Sequence, residues 1–151
     1  MPSSRSTREL TCSILLVRSF LKVLDGHPAI AREPIAPLLA YKPDRCLPLW
    51  ELLELLKGAI ELTGDEDLGL EAAEAASLGD YDVLEYAVAS CTTALDALEV
   101  LNRYIPLLND ADEFSQDVRE GKVYGWMRSR MPLSRAAADF RAASLYRKGA
   151  R

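Results

Sequence analysis

The stretch TGDEDLGL, Thr63 to Leu70, constrains the fold of this chain most tightly, because a helix stop, an acidic turn and a new helix start are compressed into it. Upstream, Leu49, Leu52, Leu53, Leu56 and Ile60 recur at i, i+3, i+4, i+7 and i+11, which gathers large apolar groups on one side of a helix. Pro48 suits that helix's first turn, where the missing N–H has no intrahelical role, and Gly64 can take the left-handed conformation that closes it. Asp65, Glu66 and Asp67 then sit where the next helix exposes unpaired N–H groups, so their charge favours the positive end of its dipole. The chain is expected to turn back sharply. The second helix carries a stripe of Leu68, Ala72, Ala75 and Ala76, whose small side chains let a neighbour approach closely.

The same reasoning extends along the chain. Leu10, Ile14, Val17, Leu21 and Leu24 recur at alternating spacings of four and three; this stripe either packs on the core or forms a helical dimer seam, and two heptads do not separate the two roles. After Gly26-His27-Pro28, the prolines at 34, 37 and 43 limit the next segment to short helices or turns anchored by Ile35, Leu38 and Leu39. Tyr81 to Ser90 reads as a short helix with Val83, Leu84, Ala87 and Val88 inward. Thr93 with Asp96 resembles a capping box, after which Leu95, Leu98, Leu101 and Ile105 supply a buried stripe until Pro106 kinks or ends the helix near Ile105.

The period then changes. Phe114, Gln116 and Val118 alternate with Ser115, Asp117 and Arg119, Glu120-Gly121 offers a turn, and Val123 to Arg128 resumes the alternation, which predicts a β-hairpin. With Arg119 facing Lys122, Val118 faces Val123 and Phe114 faces Met127 on one side, while Tyr124 and Trp126 share the other. A two-stranded hairpin is marginal alone, so its Trp-bearing face calls for another layer, from a partner chain or from further sequence. The predicted fold class is mainly α (α+β): about six helices in a compact bundle, one C-terminal β-hairpin, then a helix from Ser134 toward Gly149. Residues 1–9 read as a flexible polar tail and residues 10–151 as a single helical domain.

Composition narrows the function. A chain of 151 residues can bury roughly 68–70% of its unfolded surface and needs no metal or disulfide staple. Its apolar content of 49% with only 7% aromatic, dominated by Leu and Ala, suits a helical globular protein. Ile14 to Val17 is far too short to span a bilayer and no cleavable signal precedes it, so no membrane role is expected and a cytoplasmic location is. The net charge of −5 divides into +3 over residues 1–50, −14 over 51–113 and +6 over 114–151. The acidic middle repels phosphate backbones. Arg135, Arg141, Arg147, Lys148 and Arg151 read as the solvated face of the last helix, against the alternative that they touch DNA.

Chemistry-bearing residues are sparse. Cys12, Cys46 and Cys91 are odd in number and widely separated, and read as buried or neutral thiols. A lone His27 in a loop excludes multi-histidine metal sites; it is the one histidine available to a haem, and it reads instead as a solvated turn residue. No phosphate loop, nucleophile elbow or histidine-supported nucleophile occurs, and pairs such as Glu51 with Glu54 or Glu71 with Glu74 read as solvated surface. No enzymatic activity, cofactor or metal is expected.

Thr63-Gly64-Asp65, Gly69-Leu70, Gly79-Asp80, Leu95-Asp96-Ala97-Leu98 and Arg103-Tyr104, with the hairpin after them, resemble the N-terminal arabinose-binding-type domain of AraC-type transcriptional regulators, in the subgroup that begins with helices. The resemblance runs from about Leu10 to near the end. It implies an effector-sensing and dimerisation module, with self-association and a small-molecule effector as partners. The family continues into a mixed α/β portion and paired helix-turn-helix motifs, so DNA is contacted only through a C-terminal domain absent from this sequence; the chain reads as a fragment or a truncated relative. A pocket is expected between the helical layer and the hairpin, lined by Arg103, Tyr104, Tyr124 and Trp126, with Leu10, Ile14, Val17, Leu21 and Leu24 as the dimer interface. The alternative is a stand-alone interaction module or accessory protein that binds no small molecule.

Overall fold

The computed structural model describes residues 10–32, 35–77, 79–81 and 83–149; the expected tail over residues 1–9, Arg151 and the side chain of Lys148 lie outside them. The described residues form β1 (Thr11–Ser13), α1 (Ile14–Asp25), α2 (Ala36–Leu39), β2 (Cys46–Pro48), α3 (Leu49–Thr63), α4 (Leu68–Ala75), α5 (Val83–Ala89), α6 (Ala94–Leu108), β3 (Asp112–Arg119), β4 (Lys122–Ser129) and α7 (Arg135–Gly149). The predicted α+β class holds, with a hairpin followed by a helix, and with a second small sheet in addition. There β1 pairs antiparallel with β2, Cys12 opposite Leu47. The leucine stripe at the N-terminus therefore does not start in a helix: Ser13 caps α1 by accepting a hydrogen bond from Leu15 N at 3.2 Å, and the residues before it are extended.

The opening punctuation is realised as expected. Gly64 closes α3 at φ 68°, with its N–H donating to the Ile60 carbonyl, and Asp65 and Asp67 hold the turn through an Asp67 N–H to Asp65 Oδ1 bond of 2.8 Å. The returning α4 lies between α1 and α7. At the crossing with α7, a Cβ on Gly69 would stand 2.0 Å from the Ala136 carbonyl oxygen, so only glycine allows this approach. Phe20 of α1 meets Phe140 of α7 with ring centroids 4.5 Å apart. One cluster of buried side chains runs from Leu10 to Phe140 and includes Ile14, Val17, Leu21, Leu24, Leu49, Leu56, Leu68 and Ala72. Each such large aliphatic side chain contributes roughly 1.5–3 kcal/mol on burial.

Three local expectations are corrected. In α5, Val83 faces outward at 74% exposure while Glu85 is buried, because the Glu85 carboxylate accepts from Gly79 N at 2.7 Å and Tyr81 N at 3.5 Å and so organises the preceding loop. In α6, Leu95, Leu98, Leu101 and Ile105 are half-buried and only Leu108 is buried; the helix packs on α5, β1 and β3 and its other flank is open. Pro106 does not stop α6, which continues to Leu108. A proline this close to the C-terminal end deletes a single backbone bond, and the Asn109 N–H to Ile105 carbonyl bond of 3.0 Å closes the helix beyond it.

The hairpin has the predicted register, with Phe114 opposite Met127, Val118 opposite Val123 and Arg119 opposite Lys122. Glu120 and Gly121 both have positive φ, 51° and 75°, the mark of a type I′ turn whose twist matches the strands. The base of one face, with Asp112 and Phe114, is buried against the helices. The other face is open from end to end apart from half-buried Asp117.

Candidate functional site

The four residues expected to line a ligand pocket lie on two elements. Arg103 and Tyr104 sit on α6, Tyr124 and Trp126 on β4, and all are exposed. None of the four lines either of the two depressions described below. What the structure does bring together is Tyr124 and Trp126, at 46% and 45% exposure, two residues apart on one hairpin face. The five residues offered as a dimer seam are core instead: Ile14, Val17, Leu21 and Leu24 are 0% exposed and Leu10 is 2% exposed. They are covered within one chain, α1 packing against α4, α2 and β1, so the stripe takes the first of its two expected roles and offers no surface to a second copy.

The larger depression, about 440 Å³, is built by the loop between α2 and β2 and lined by Ala40, Tyr41, Lys42, Asp44, Arg45 and Cys46. The Arg45 guanidinium lies over the Tyr41 ring, 4.9 Å from its centroid, and Arg18 donates to the Tyr41 carbonyl at 3.0 Å. The Arg45 carbonyl accepts from Ile14 N at 2.9 Å, which ties this loop to the first turn of α1. Its volume is within the usual range of small-molecule sites, and its charges and hydroxyl suit a polar, hydroxyl- or carboxylate-bearing ligand. The smaller depression, about 170 Å³, lies beside Ile60, Glu66, Arg135 and Ala136, where Arg135 pairs with Glu66 at 2.9 Å and Asp67 at 3.3 Å.

A buried polar knot joins the hairpin to α7, and sequence reasoning missed it. Asp112 Oδ2 accepts from Asn109 Nδ2 at 3.0 Å and stands 3.0 Å from Arg141 Nε in an ion pair; the two charged side chains are 3% and 14% exposed. Arg141 was expected on a solvated face, and the structure turns it inward to neutralise a buried carboxylate. Burial pushes the Asp112 carboxyl above its ordinary value against the pull of Arg141, and burial likewise lowers the Arg141 guanidinium. Cys12, beside them on β1, is pushed up to about 12, first by burial, so its thiol stays neutral and unreactive. Next to the knot, Thr11 binds both Asp110 carboxylate oxygens, at 2.8 and 3.2 Å, and Arg130 donates to the Asp110 carbonyl. The signal available in the sequence was the acidic run Asn109-Asp110-Ala111-Asp112 entering an alternating strand: an acid at an inward strand position needs a cation from elsewhere.

Arg147 also turns in, donating to the Ala73 carbonyl at 2.9 Å, while Arg135 stays on the surface. Burial raises the Tyr81 phenol, offset by the hydroxyls of Ser19 and Ser144. Among the described residues no group of three or more His, Cys, Asp or Glu is placed to hold a metal ion, and no helix is long and apolar enough to cross a membrane.

These features define an α+β protein whose inward polar groups tie elements together and whose surface includes, among other exposed apolar side chains, an aromatic hairpin face and a shallow polar depression. Residues 24–148 match the N-terminal arabinose-binding domain of AraC transcription regulators, and the chain belongs to that family. The family is one of regulatory domains and not of enzymes. No curated protein matches the chain.

Proposed function

We propose that this chain is the effector-sensing input module of an AraC-type transcription regulator, acting in the bacterial cytoplasm, with residues 10–151 working as one domain. The observation that carries the reading is the family match over residues 24–148, whose description names arabinose binding. A pentose or a related sugar acid is the effector class that follows: its hydroxyls pair with planar side chains and its ring C–H face lies on an aromatic. The loop depression with Tyr41, Lys42, Asp44 and Arg45 supplies those groups, in place of the Arg103, Tyr104, Tyr124 and Trp126 set. A ligand shifts a regulator only through differential affinity for two states, and the Arg45 carbonyl bond to Ile14 N gives the loop a mechanical route to α1. DNA engagement belongs to a helix-turn-helix region of the wider regulator and to no residue of this chain, whose middle carries −14.

A second reading, an interaction module that binds no small molecule, is favoured by the exposed Tyr124 and Trp126. Thermal unfolding with pentoses, sugar acids, other organic acids and lipids separates the two. The sensor reading expects one class to stabilise the chain, by about 2.7 kcal/mol at a hundredfold excess over Kd, and Arg45→Ala to remove most of that gain. No stabilisation by any class contradicts it.

A further inference from the structure

On the outer hairpin face, β3 presents Glu113, Ser115, Asp117 and Arg119 and β4 presents Lys122, Tyr124, Trp126 and Arg128. The register sets them in cross-strand rows: Glu113 with Arg128, Ser115 with Trp126, Asp117 with Tyr124, and Arg119 with Lys122. Two large aromatics nearly half exposed, flanked by an arginine and a lysine, have the composition of contact surfaces rather than of ordinary solvated strands. Neither of the two depressions described above is lined by residues of this face, which suits a protein partner better than a small ligand. Part of its charge is also unspent: among the described residues the ion pairs of the hairpin are Asp117 with Arg119 and Asp112 with Arg141, so Glu113 and Arg128 stand opposed without bonding each other.

We propose that this face mates with the same face of a second copy, sheet on sheet, about a two-fold axis parallel to the strands. Such an axis lays β3 of each copy over β4 of the other at the same height along the strand, so every residue meets the cross-strand neighbour of its own row, now from the other molecule. Glu113 then meets Arg128 of the second copy. Ser115 leaves space for the indole of Trp126. The Asp117 oxygen not engaged by Arg119 is placed to accept from the Tyr124 hydroxyl. Only the row next to the turn, Arg119 over Lys122, brings like charges together, and there Arg119 is already paired with Asp117 at 2.5 Å and is 67% solvent-exposed, where screening is strong. Stacked sheets sit about 10 Å apart with strands within about 30°, a spacing that interdigitated Tyr and Trp side chains fill.

The patch is roughly 27 Å long and two strands wide, smaller than the ~800 Å² per partner of a standard interface, so the dimer is transient. The inference rests on the reading of this chain as a regulatory module, yet it does not depend on an effector: its failure leaves ligand uptake untouched, and a failed ligand screen leaves it standing.

Sedimentation equilibrium of the full chain, from about 10 μM to about 1 mM, tests it. The weight-average mass is expected to rise from the 16.7 kDa monomer toward twice that value. Trp126→Glu weakens association at least tenfold, as expected of a central aromatic anchor, with an unchanged far-ultraviolet circular dichroism spectrum. Glu113→Arg and Arg128→Glu each weaken it severalfold, while the double exchange recovers most of the loss. A chain that stays monomeric throughout, a dimer indifferent to Trp126→Glu, or a double exchange no better than the singles overturns the proposal; the first outcome assigns the face to a different partner.

Discussion

Glycine at position 69 does a job no other residue can do. The Cβ of an alanine there would overlap the Ala136 backbone, and backbone, unlike a flexible side-chain tip, cannot swing aside. Gly69→Ala is therefore expected to push α4 and α7 apart and destabilise the chain by about 1–3 kcal/mol, the usual cost of overpacking, read by urea unfolding; a loss below about 0.5 kcal/mol contradicts the close crossing. The Asp112–Arg141 pair makes a second demand. Removing one partner of a buried pair leaves an uncompensated charge, at about 3–5 kcal/mol. Arg141→Met is expected to lose that much at pH 7. The sign of its pH dependence follows from Asp112, whose folded carboxyl is raised above its ordinary value by burial. A raised carboxyl contributes stability that is fully present below the unfolded value and is lost as pH rises through the folded one. The Arg141→Met deficit should therefore shrink on acidification from pH 7, as Asp112 takes up a proton and tolerates burial; a deficit that grows on acidification would contradict this. Neither residue announced its role in the sequence. Gly69 looked like a helix-start residue and Arg141 like one of several basic groups on a helix face, because both roles depend on which segment crosses which.

Elements were legible where a local signal specifies them. The Gly64 stop, the Thr93 cap and the Glu120-Gly121 turn are all decided within a few residues, and each appears as read, including the whole register of the hairpin. Thr93 Oγ accepts from Asp96 N at 3.1 Å, so Thr93→Ala should lower stability by about 1 kcal/mol, with Thr93→Ser restoring most of it in thermal melts. Elements decided by distant pairing were not legible. Thr11-Cys12-Ser13 is too short to show a strand period, and it is extended because Cys46–Pro48 lies alongside. The width of the α6 stripe was read correctly as apolar and wrongly as buried, since periodicity reports which residues seek cover and says nothing of whether a neighbouring element supplies it. The same gap explains Leu10 to Leu24: the stripe was real, and only the position of α4 and α2 against it determined that it is core.

At the scale of the molecule, the charge division seen in the sequence is resolved by folding into contacts. Basic residues of the C-terminal helix answer acids of the middle, Arg135 at Glu66 and Asp67 and Arg141 at Asp112, so the +6 and −14 segments hold each other. Fold class and family could be argued from the sequence because they rest on punctuation and periodicity. The site could not, because the aromatics that suggested a pocket lie on separate elements, and the loop depression is assembled by a proline-bearing segment with no motif of its own. What remains central is that this chain by itself receives a small effector. The most direct measurement is an amide ¹H–¹⁵N titration of the full chain with L-arabinose and its sugar acids. The account predicts a discrete, saturable set of shifts with one-to-one stoichiometry, centred on Tyr41 to Cys46 and reaching the first turn of α1. Spectra that superimpose at every ligand excess for every compound would contradict it.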